Sequence, residues 1–191
     1  MSPDLFIGWL LGLLGSLLTG VIMYWLEGRR EERRERLKQH GEQVRTALSW
    51  ASDGKRTSLR GFYLKGANLS GKDLSEADLE SANLDEIIGW ALDLRRANLR
   101  AASFRKAKIK HADFRGAVFH RADFAGAILV DVDFTGADVR DTDLTTAHTL
   151  EACVWDGLRR NERTRLPQHV RDSVERQAAD SQPASGADTP S

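Results

Sequence analysis

The chain has 191 residues, of which 28 are basic and 28 acidic, so it carries no formal net charge. The length is that of one folded domain, and the charge balance argues against a function that depends on a strong overall electrostatic field. The single cysteine, Cys153, agrees with a reducing compartment.

The first element is an apolar segment from Leu5 to Leu26, with 22 residues and no charge. A helix of this length spans the hydrocarbon core of a bilayer. Aromatic residues near its two ends (Trp9, Tyr24 and Trp25) suit the membrane interfaces. A cleaved signal peptide is the alternative, but the opening Met-Ser-Pro-Asp lacks its basic start. We therefore expect residues 1–4 outside the membrane and a transmembrane helix over residues 5–26.

The orientation of this helix follows from the basic residues that flank it. None precedes the segment, and six follow it closely: Arg29, Arg30, Arg33, Arg34, Arg36 and Lys38. The sequence therefore predicts a single-pass protein of the inner (plasma) membrane, with the N-terminus outside and the remainder cytoplasmic. The lipid bilayer is the first partner that it implies.

Small residues recur every fourth position along the apolar segment, at Gly8, Gly12, Ser16 and Gly20. Such a series lets two helices approach closely in lipid, and it favours a homo-oligomer formed through the membrane helix. The alternative is that glycine is simply common in membrane helices.

Residues 27–52 form a charged juxtamembrane segment with seven basic and five acidic side chains. Glu32 precedes Arg36 by four residues, which supports a helix. Two interpretations stay open: the arginines contact anionic headgroups beside the anchor, or the segment is a solvated spacer.

From Thr57 to Thr149 the chain repeats every five residues. The centres of the fives are large and apolar with few exceptions, and alanine usually stands two positions before the centre, as in Ala97–Leu99 and Ala112–Phe114. A period of five fits neither a helix nor a strand. It fits a solenoid in which each five makes one side of a coil and then turns. Leu48 and Trp50 are then expected to cover the first coil, because an uncapped solenoid end exposes its core.

Units such as ANLSG (Ala67–Gly71) and ADFRG (Ala112–Gly116) resemble those of the pentapeptide-repeat proteins. The resemblance covers residues 57–149. It implies an all-β solenoid, a right-handed quadrilateral β-helix with four fives per coil. At about 4.8 Å per coil, the region makes roughly 4.6 coils and a rod of about 22 Å.

With four fives per coil, residues 20 apart become neighbours in adjacent coils. This places Glu76 beside Arg96, Glu80 beside Arg100, Asp85 beside Arg105, Glu86 beside Lys106 and His111 beside Asp131. We name one group the basic belt: Arg95, Arg96, Arg100, Arg105 and Lys106. Either its charges stabilise the stacking register, or the belt binds an anionic partner. Asp73, Asp93, Asp113 and Asp133 form a column in which each carboxylate is expected to bond nearby backbone.

One side of the coil departs from the rule of polar residues outside. We name it the apolar wall, and its residues are Ile88, Trp90, Lys108, Lys110, Ile128 and Val130, with Leu150 expected to follow. An apolar stripe on a surface indicates a contact with another surface. The stripe meets either a protein partner or the terminal helices of this chain. In the unit Ile87–Ala91 the large and small residues are exchanged: Ile87 stands at the alanine position and Gly89 at the centre.

After Thr149 the five-residue period stops. Residues 150–167 are predicted to cap the last coil, with a short helix over Leu150–Asn161. Residues 168–191 are predicted to contain a polar helix over His169–Ala179, followed by a tail with the composition of disorder.

The sequence assembles no catalytic site. Its histidines lack metal-ligand spacing, and it contains no phosphate-binding loop and no nucleophile elbow. We therefore predict no catalytic residue, no metal, no cofactor and no small-molecule substrate.

Three functions remain in view. The first is a membrane-tethered scaffold that presents a rigid rod to a protein partner. The second is a DNA-mimic regulator of topoisomerase, as the resemblance allows, but the 13 basic and 14 acidic residues of 57–149 lack the negative field that mimicry of nucleic acid needs. The third is an oligomerising membrane assembly factor with an inert rod.

Overall fold

The computed structural model describes residues 27–50 and 58–180. The predicted membrane span, its small-residue series and the predicted tail after residue 180 lie outside these ranges. Within the described residues, no helix combines the length and apolarity that a bilayer crossing requires. The chain divides into two units, residues 1–42 and 43–191.

Residues 27–49 are helical and are called α1 here. In the first unit, Arg36 Nη2 lies 3.5 Å from Glu32 Oε2, the pair that the four-residue spacing predicts. The end of α1 belongs to the second unit, where Trp50 is 5% exposed and packs with Leu48 against the core. Gln43 Oε1 also accepts a hydrogen bond from the Tyr63 amide at 2.8 Å. The predicted cover over the first coil is therefore confirmed.

The repeat region forms a parallel coil that advances one rung every 20 residues. On one side it builds a four-stranded parallel sheet in the order β1 (Ile88–Trp90), β2 (Lys108–Lys110), β3 (Ile128–Val130) and β4 (Thr149–Glu151). The other three sides pair through single bridges, such as Asp73 to Asp93 and Asn83 to Ser103. Four sides of five residues account for the period.

Nearly every five ends in a turn with a left-handed residue two positions after the centre; Thr146, after Leu144, is an exception. Seven glycines and twelve other residues of the described coil take this conformation, with φ of 50° to 71°. Ala101, at φ 53°, is an example without a polar side chain that can bond locally. The turn is thus imposed by the stacked coil and not by glycine alone.

The core is a column of the predicted centres, all fully buried from Leu59 to Leu144. Leucine fills the early coils and phenylalanine the later ones. Phe104 and Phe124 stack with ring centroids 5.0 Å apart, and Phe119 lies 5.2 Å from Phe114. This packing leaves the interior to side chains and places any interaction on the outside.

Gly89 is a centre without a side chain, and its neighbours fill the space. Ile87 and Leu92, which stand at small-residue positions, are 0% and 1% exposed. A Cβ at Gly89 would lie 3.0 Å from Leu92 Cδ2. The sequence predicts that a large residue at the small-residue position compensates for the missing side chain of Gly89, and this is confirmed. Leu92, at the small-residue position of the next five, also fills this space.

The sequence predicts that the coil ends at Thr149 and that a short helix follows, and both predictions are wrong. The coil continues past Thr149, and residues 150–161 do not form a helix. Ile128 pairs with Thr149, Asp138 with Arg159 and Asp143 with Arg165, so the step lengthens from 20 to 21 and then 22 residues. The apolar residues taken for a helical stripe are fives in a shifted register. Trp155 is a buried centre that stacks on Phe134 with centroids 4.6 Å apart. The extra residues are accommodated in turns, which leaves the core column intact.

The chain ends its described part with α2 (Gln168–Asp180), where the sequence predicts a polar helix. Val170 is fully buried, Leu166 just before the helix is 2% exposed, and Val174 packs beside them. Their apolar contacts join α2 to the core.

Candidate interaction surface

The apolar wall is the outer face of the β1–β4 sheet. One column along the coil axis contains Ile88, Lys108, Ile128 and Thr149, and the other contains Trp90, Lys110, Val130 and Glu151. Trp90 is 56% exposed and Ile88 40%, whereas Ile128 and Val130 are half-buried. The structure therefore brings all six predicted residues together on one flat face.

Leu150 is not part of the outward stripe that the sequence predicts. The 21-residue step pairs it with the centre Leu129, and its side chain packs partly against the core. Thr149 and Glu151 take the outward positions and form a polar border. His169 of α2 contacts this border, since its Nε2 lies 3.2 Å from the Leu150 carbonyl oxygen.

The helical residues that share the second unit with the wall leave it open. Trp90 and Ile88 keep the exposures given above although α1 and α2 pack on the coil through Trp50 and Val170. Within the second unit, neither α2 nor the end of α1 (residues 43–49) covers the wall.

The lysines of the wall form no ion pair in the described part of the chain. Neither Lys108 nor Lys110 forms an ion pair within 4.0 Å of a described carboxylate. Lys108 is exposed and Lys110 half-buried. A row of positive charge therefore separates the apolar residues of β1 from those of β3.

The basic belt is largely paired with carboxylates. Arg96 Nη1 lies 3.8 Å from Glu76 Oε1, and Arg105 Nη1 lies 3.4 Å from Asp123 Oδ2. Arg95 makes a two-nitrogen contact with Asp93, with Nη2 2.6 Å from Oδ2. These pairs reduce the positive field of the belt.

Arg100 and Lys106 of the belt do not form the ion pairs with Glu80 and Glu86 that the step of 20 suggests. Glu80 pairs with Arg60 at 2.7 Å, and Glu86 pairs with Lys65 at 3.2 Å. Arg100 and Lys106 have no ion pair among the described residues. The 20-residue step predicts which positions are adjacent, but long side chains select partners from the coil on either side.

The aspartate column has the structural role that the sequence predicts. Asp73, Asp93, Asp113 and Asp133 each accept, through Oδ1, a hydrogen bond from the backbone amide two residues on, at 2.8 to 3.1 Å. Partial burial by itself raises the pKa of Asp93, but hydrogen bonds from the Arg95 side chain and amide outweigh it and hold the pKa below its ordinary value. No group of His, Cys, Asp and Glu in the described ranges is arranged to hold a metal ion.

Histidine–aspartate contacts occur at two places. His111 Nδ1 lies 2.7 Å from Asp131 Oδ2, as the step of 20 predicts, and both side chains are exposed. His120 Nε2 lies 2.9 Å from Asp141 Oδ2, and Asn161 Nδ2 donates to the other oxygen of Asp141 at 2.7 Å. The Asn161 hydrogen bond, ahead of the His120 contact, lowers the pKa of Asp141. Sequence reasoning missed this cluster because His120 contacts a residue 21 positions away instead of 20, and because Asn161 was assigned to the end of a capping helix.

Comparison with known proteins identifies the class of the coil. The family profile described as pentapeptide repeats matches eight copies, over residues 55–88, 91–121 and 110–145. The repeat region therefore belongs to the pentapeptide-repeat family, and its fives build the four-sided parallel coil described above. Proteins of this family are generally structural or interaction proteins.

Solved structures of this family are similar to the chain. A pentapeptide-repeat protein from the Arabidopsis thaliana thylakoid lumen is 24% identical, with a TM-score of 0.36 over 60% of this chain and 74% of that one. HetL from Nostoc sp. strain PCC 7120, described as involved in heterocyst differentiation regulation, is 23% identical, with a TM-score of 0.31 over 59% and 60%. QnrB1, described as a plasmid-mediated fluoroquinolone resistance protein, is 14% identical, with a TM-score of 0.24 over 62% and 90%. No curated protein sequence matches the chain significantly.

Proposed function

We propose that this protein is a membrane-tethered, non-enzymatic scaffold whose β-helix binds a protein partner through the apolar wall. The observation that carries the proposal is the exposure of Trp90 and Ile88 on a sheet face that α2 and residues 43–49 leave open. Large exposed aromatic and aliphatic side chains on one flat face are typical of the centre of a protein interface.

The wall supports this function better than the basic belt does. Arg95, Arg96 and Arg105 contact carboxylates of their own coil or of an adjacent one. A partner of the belt would have to replace these contacts, whereas a partner of the wall removes apolar surface from water without breaking any contact of the described residues.

The tether rests on the sequence. The uncharged segment from Leu5 to Leu26 has the length of a membrane span, and the arginines that follow it favour a cytoplasmic location for the β-helix. A scaffold of this kind holds its partner beside the inner membrane.

Capture of partners by the full chain, with Trp90→Asp and Ile128→Asp introduced together, tests the wall. Val118→Asp is the matched control, because Val118 is half-buried and precedes its centre as Ile128 does, but lies on another side of the coil. We expect the wall variant to lose a captured protein that the control retains, with both variants showing the circular dichroism of a folded coil. Capture that survives in the wall variant would exclude this face. Capture that is lost on Gly12→Ile and kept in the wall variant would favour assembly through the membrane helix.

A further inference from the structure

The apolar wall carries its charges in a fixed order along the coil axis. The β1 rung presents Ile88 and Trp90, the β2 rung presents Lys108 and Lys110, and the β3 rung presents Ile128 and Val130. An apolar rung is therefore followed by a cationic rung and by a second apolar rung. A complementary partner needs apolar, acidic and apolar groups in the same order.

The spacing of the rungs selects the form of that partner. Adjacent rungs are separated by about 4.8 Å, so the two apolar rungs lie about 9.6 Å apart. In an α-helix, residues i and i+7 lie on one face and about 10.5 Å apart, with i+3 and i+4 halfway between them. A helix laid along the coil axis therefore places two apolar side chains on the β1 and β3 rungs, and the side chains at i+3 and i+4 on the two lysines.

An added β-strand fits this face less well. The edges of β2 and β3 are both paired within the sheet, and the Ile88 end of β1 pairs with Asn68 of the coil before it. Strand addition requires an unpaired edge, and this sheet offers none between the β1 and β3 rungs. The side chains of the wall are what a partner can contact.

The two lysines favour an acidic partner. They lie on consecutive outward positions of one strand and have no ion pair among the described residues. Carboxylates placed opposite them gain attraction that is not already met within the described coil, and a basic helix would be repelled.

Neither helix of the described chain has the required pattern. In α1, Leu37 and Val44 are seven apart, but His40 and Gly41 lie between them. In α2, Val170 is followed seven residues later by Gln177. Neither described helix therefore fits the wall, and we assign its occupant to another protein.

We propose that the wall binds an amphipathic α-helix of a partner protein, with apolar residues at i and i+7 and acidic residues at i+3 and i+4. This inference rests on the proposed function, since it names the partner of the same wall. Helix-in-groove recognition elsewhere uses the same spacing of anchors, but here the middle anchors are charged.

A displayed library of helical peptides tests the inference. The library randomises positions i, i+3, i+4 and i+7 of a soluble helical host, and it is selected on the immobilised full chain. We expect apolar residues to be enriched at i and i+7 and Asp or Glu at i+3 and i+4. A selection that yields no clone, or clones without an acidic preference, would overturn the inference.

Charge reversal of the lysines supplies the second arm. The variant Lys108→Glu with Lys110→Glu should weaken the best acidic peptide by roughly tenfold or more and should strengthen its i+3, i+4 lysine counterpart. Arg100→Glu with Lys106→Glu is the control, because both side chains also lack ion pairs in the described ranges but lie on other sides of the coil. Equal weakening by the control pair would mean a non-specific field and would refute the inference.

Two outcomes separate this inference from the proposed function. If Trp90→Asp with Ile128→Asp abolishes partner capture but reversal of the lysines does not, the wall is an interface and the acidic helix is wrong. If neither variant affects capture, both proposals fail. Binding of the full chain to phosphatidylglycerol vesicles that is lost on lysine reversal, without peptide selectivity, would identify a lipid surface as the occupant and would also overturn the helix.

Discussion

Replacing Ala101 by glycine should stabilise the protein, although glycine usually destabilises regular structure. Ala101 occupies the turn position with φ 53°, it is exposed, and its amide donates to the His120 carbonyl at 2.9 Å. For an L-residue other than glycine, the left-handed conformation costs about 1–2 kcal/mol. Glycine removes that cost and loses about 0.5–1 kcal/mol more conformational entropy on folding. The net expectation is a gain of about 0.5–1 kcal/mol.

The neighbouring alanine provides the matched control. Ala102 is fully buried and is not among the residues with positive φ. Ala102→Gly should therefore lose about 0.8 kcal/mol of methyl burial in addition to the entropic cost. The same substitution at adjacent positions thus has opposite expected signs.

Urea unfolding of the two variants, followed by far-ultraviolet circular dichroism, measures the difference. We expect the midpoint to rise for Ala101→Gly and to fall for Ala102→Gly at a similar slope. A fall for both variants would show that the turn conformation stores no strain, and the account of the turns given above would be refuted.

Three further predictions concern packing, pH and thiol reactivity. Gly89→Leu should destabilise the coil by about 1–3 kcal/mol, because a Cβ at this position would lie 3.0 Å from Leu92 Cδ2. Adding Leu92→Ala should recover much of the lost stability. A double-mutant cycle that shows no coupling between the two positions would contradict this. A hydrogen bond from the Arg140 side chain, opposed by burial, holds the pKa of Asp138 below the ordinary 3.8. The ionised carboxylate therefore stabilises the fold fully above about pH 4, and this stabilisation is lost as pH falls through the lower folded pKa. Between pH 5 and 2, the urea midpoint of Asp138→Asn should fall less than that of the native chain, and an equal fall would contradict this. Burial raises the pKa of the Cys153 thiol to about 11, so iodoacetamide at pH 8 should label the folded chain far more slowly than the urea-unfolded chain, and equal rates would refute it.

The period of five was sufficient to predict the core and the register of most coils. Each centre is usually large and apolar because it points into the column, and the residue two positions before it is usually small, with Ile87, Leu92 and Val132 as buried exceptions. These requirements repeat, so one rule predicts Leu59 as well as Phe134. The 20-residue neighbours follow from the same rule, as Glu76 with Arg96 and His111 with Asp131 confirm.

The rule failed where the chain inserts residues. An extra residue in a turn changes the register of everything after it, but it does not expose the core, so the coil continues through Trp155 to Arg165. In the sequence, the shifted fives read as an apolar stripe of a helix. The period also does not predict which residues form ion pairs, since Glu86 pairs with Lys65 of the preceding coil and not with Lys106 of the next one. Such a choice depends on rotamers and not on the period.

The residue before the centre distinguishes the wall from most other positions of the coil. On most sides this residue is Asp or Asn, and at eleven positions its Oδ1 accepts a hydrogen bond from the amide two residues on. That bond stabilises a turn immediately after the centre. Ile88, Lys108 and Ile128 have no such oxygen, and there the backbone stays extended and pairs over three residues. The three positions that give the wall its apolar and cationic side chains therefore also lie in the extended strands of its sheet.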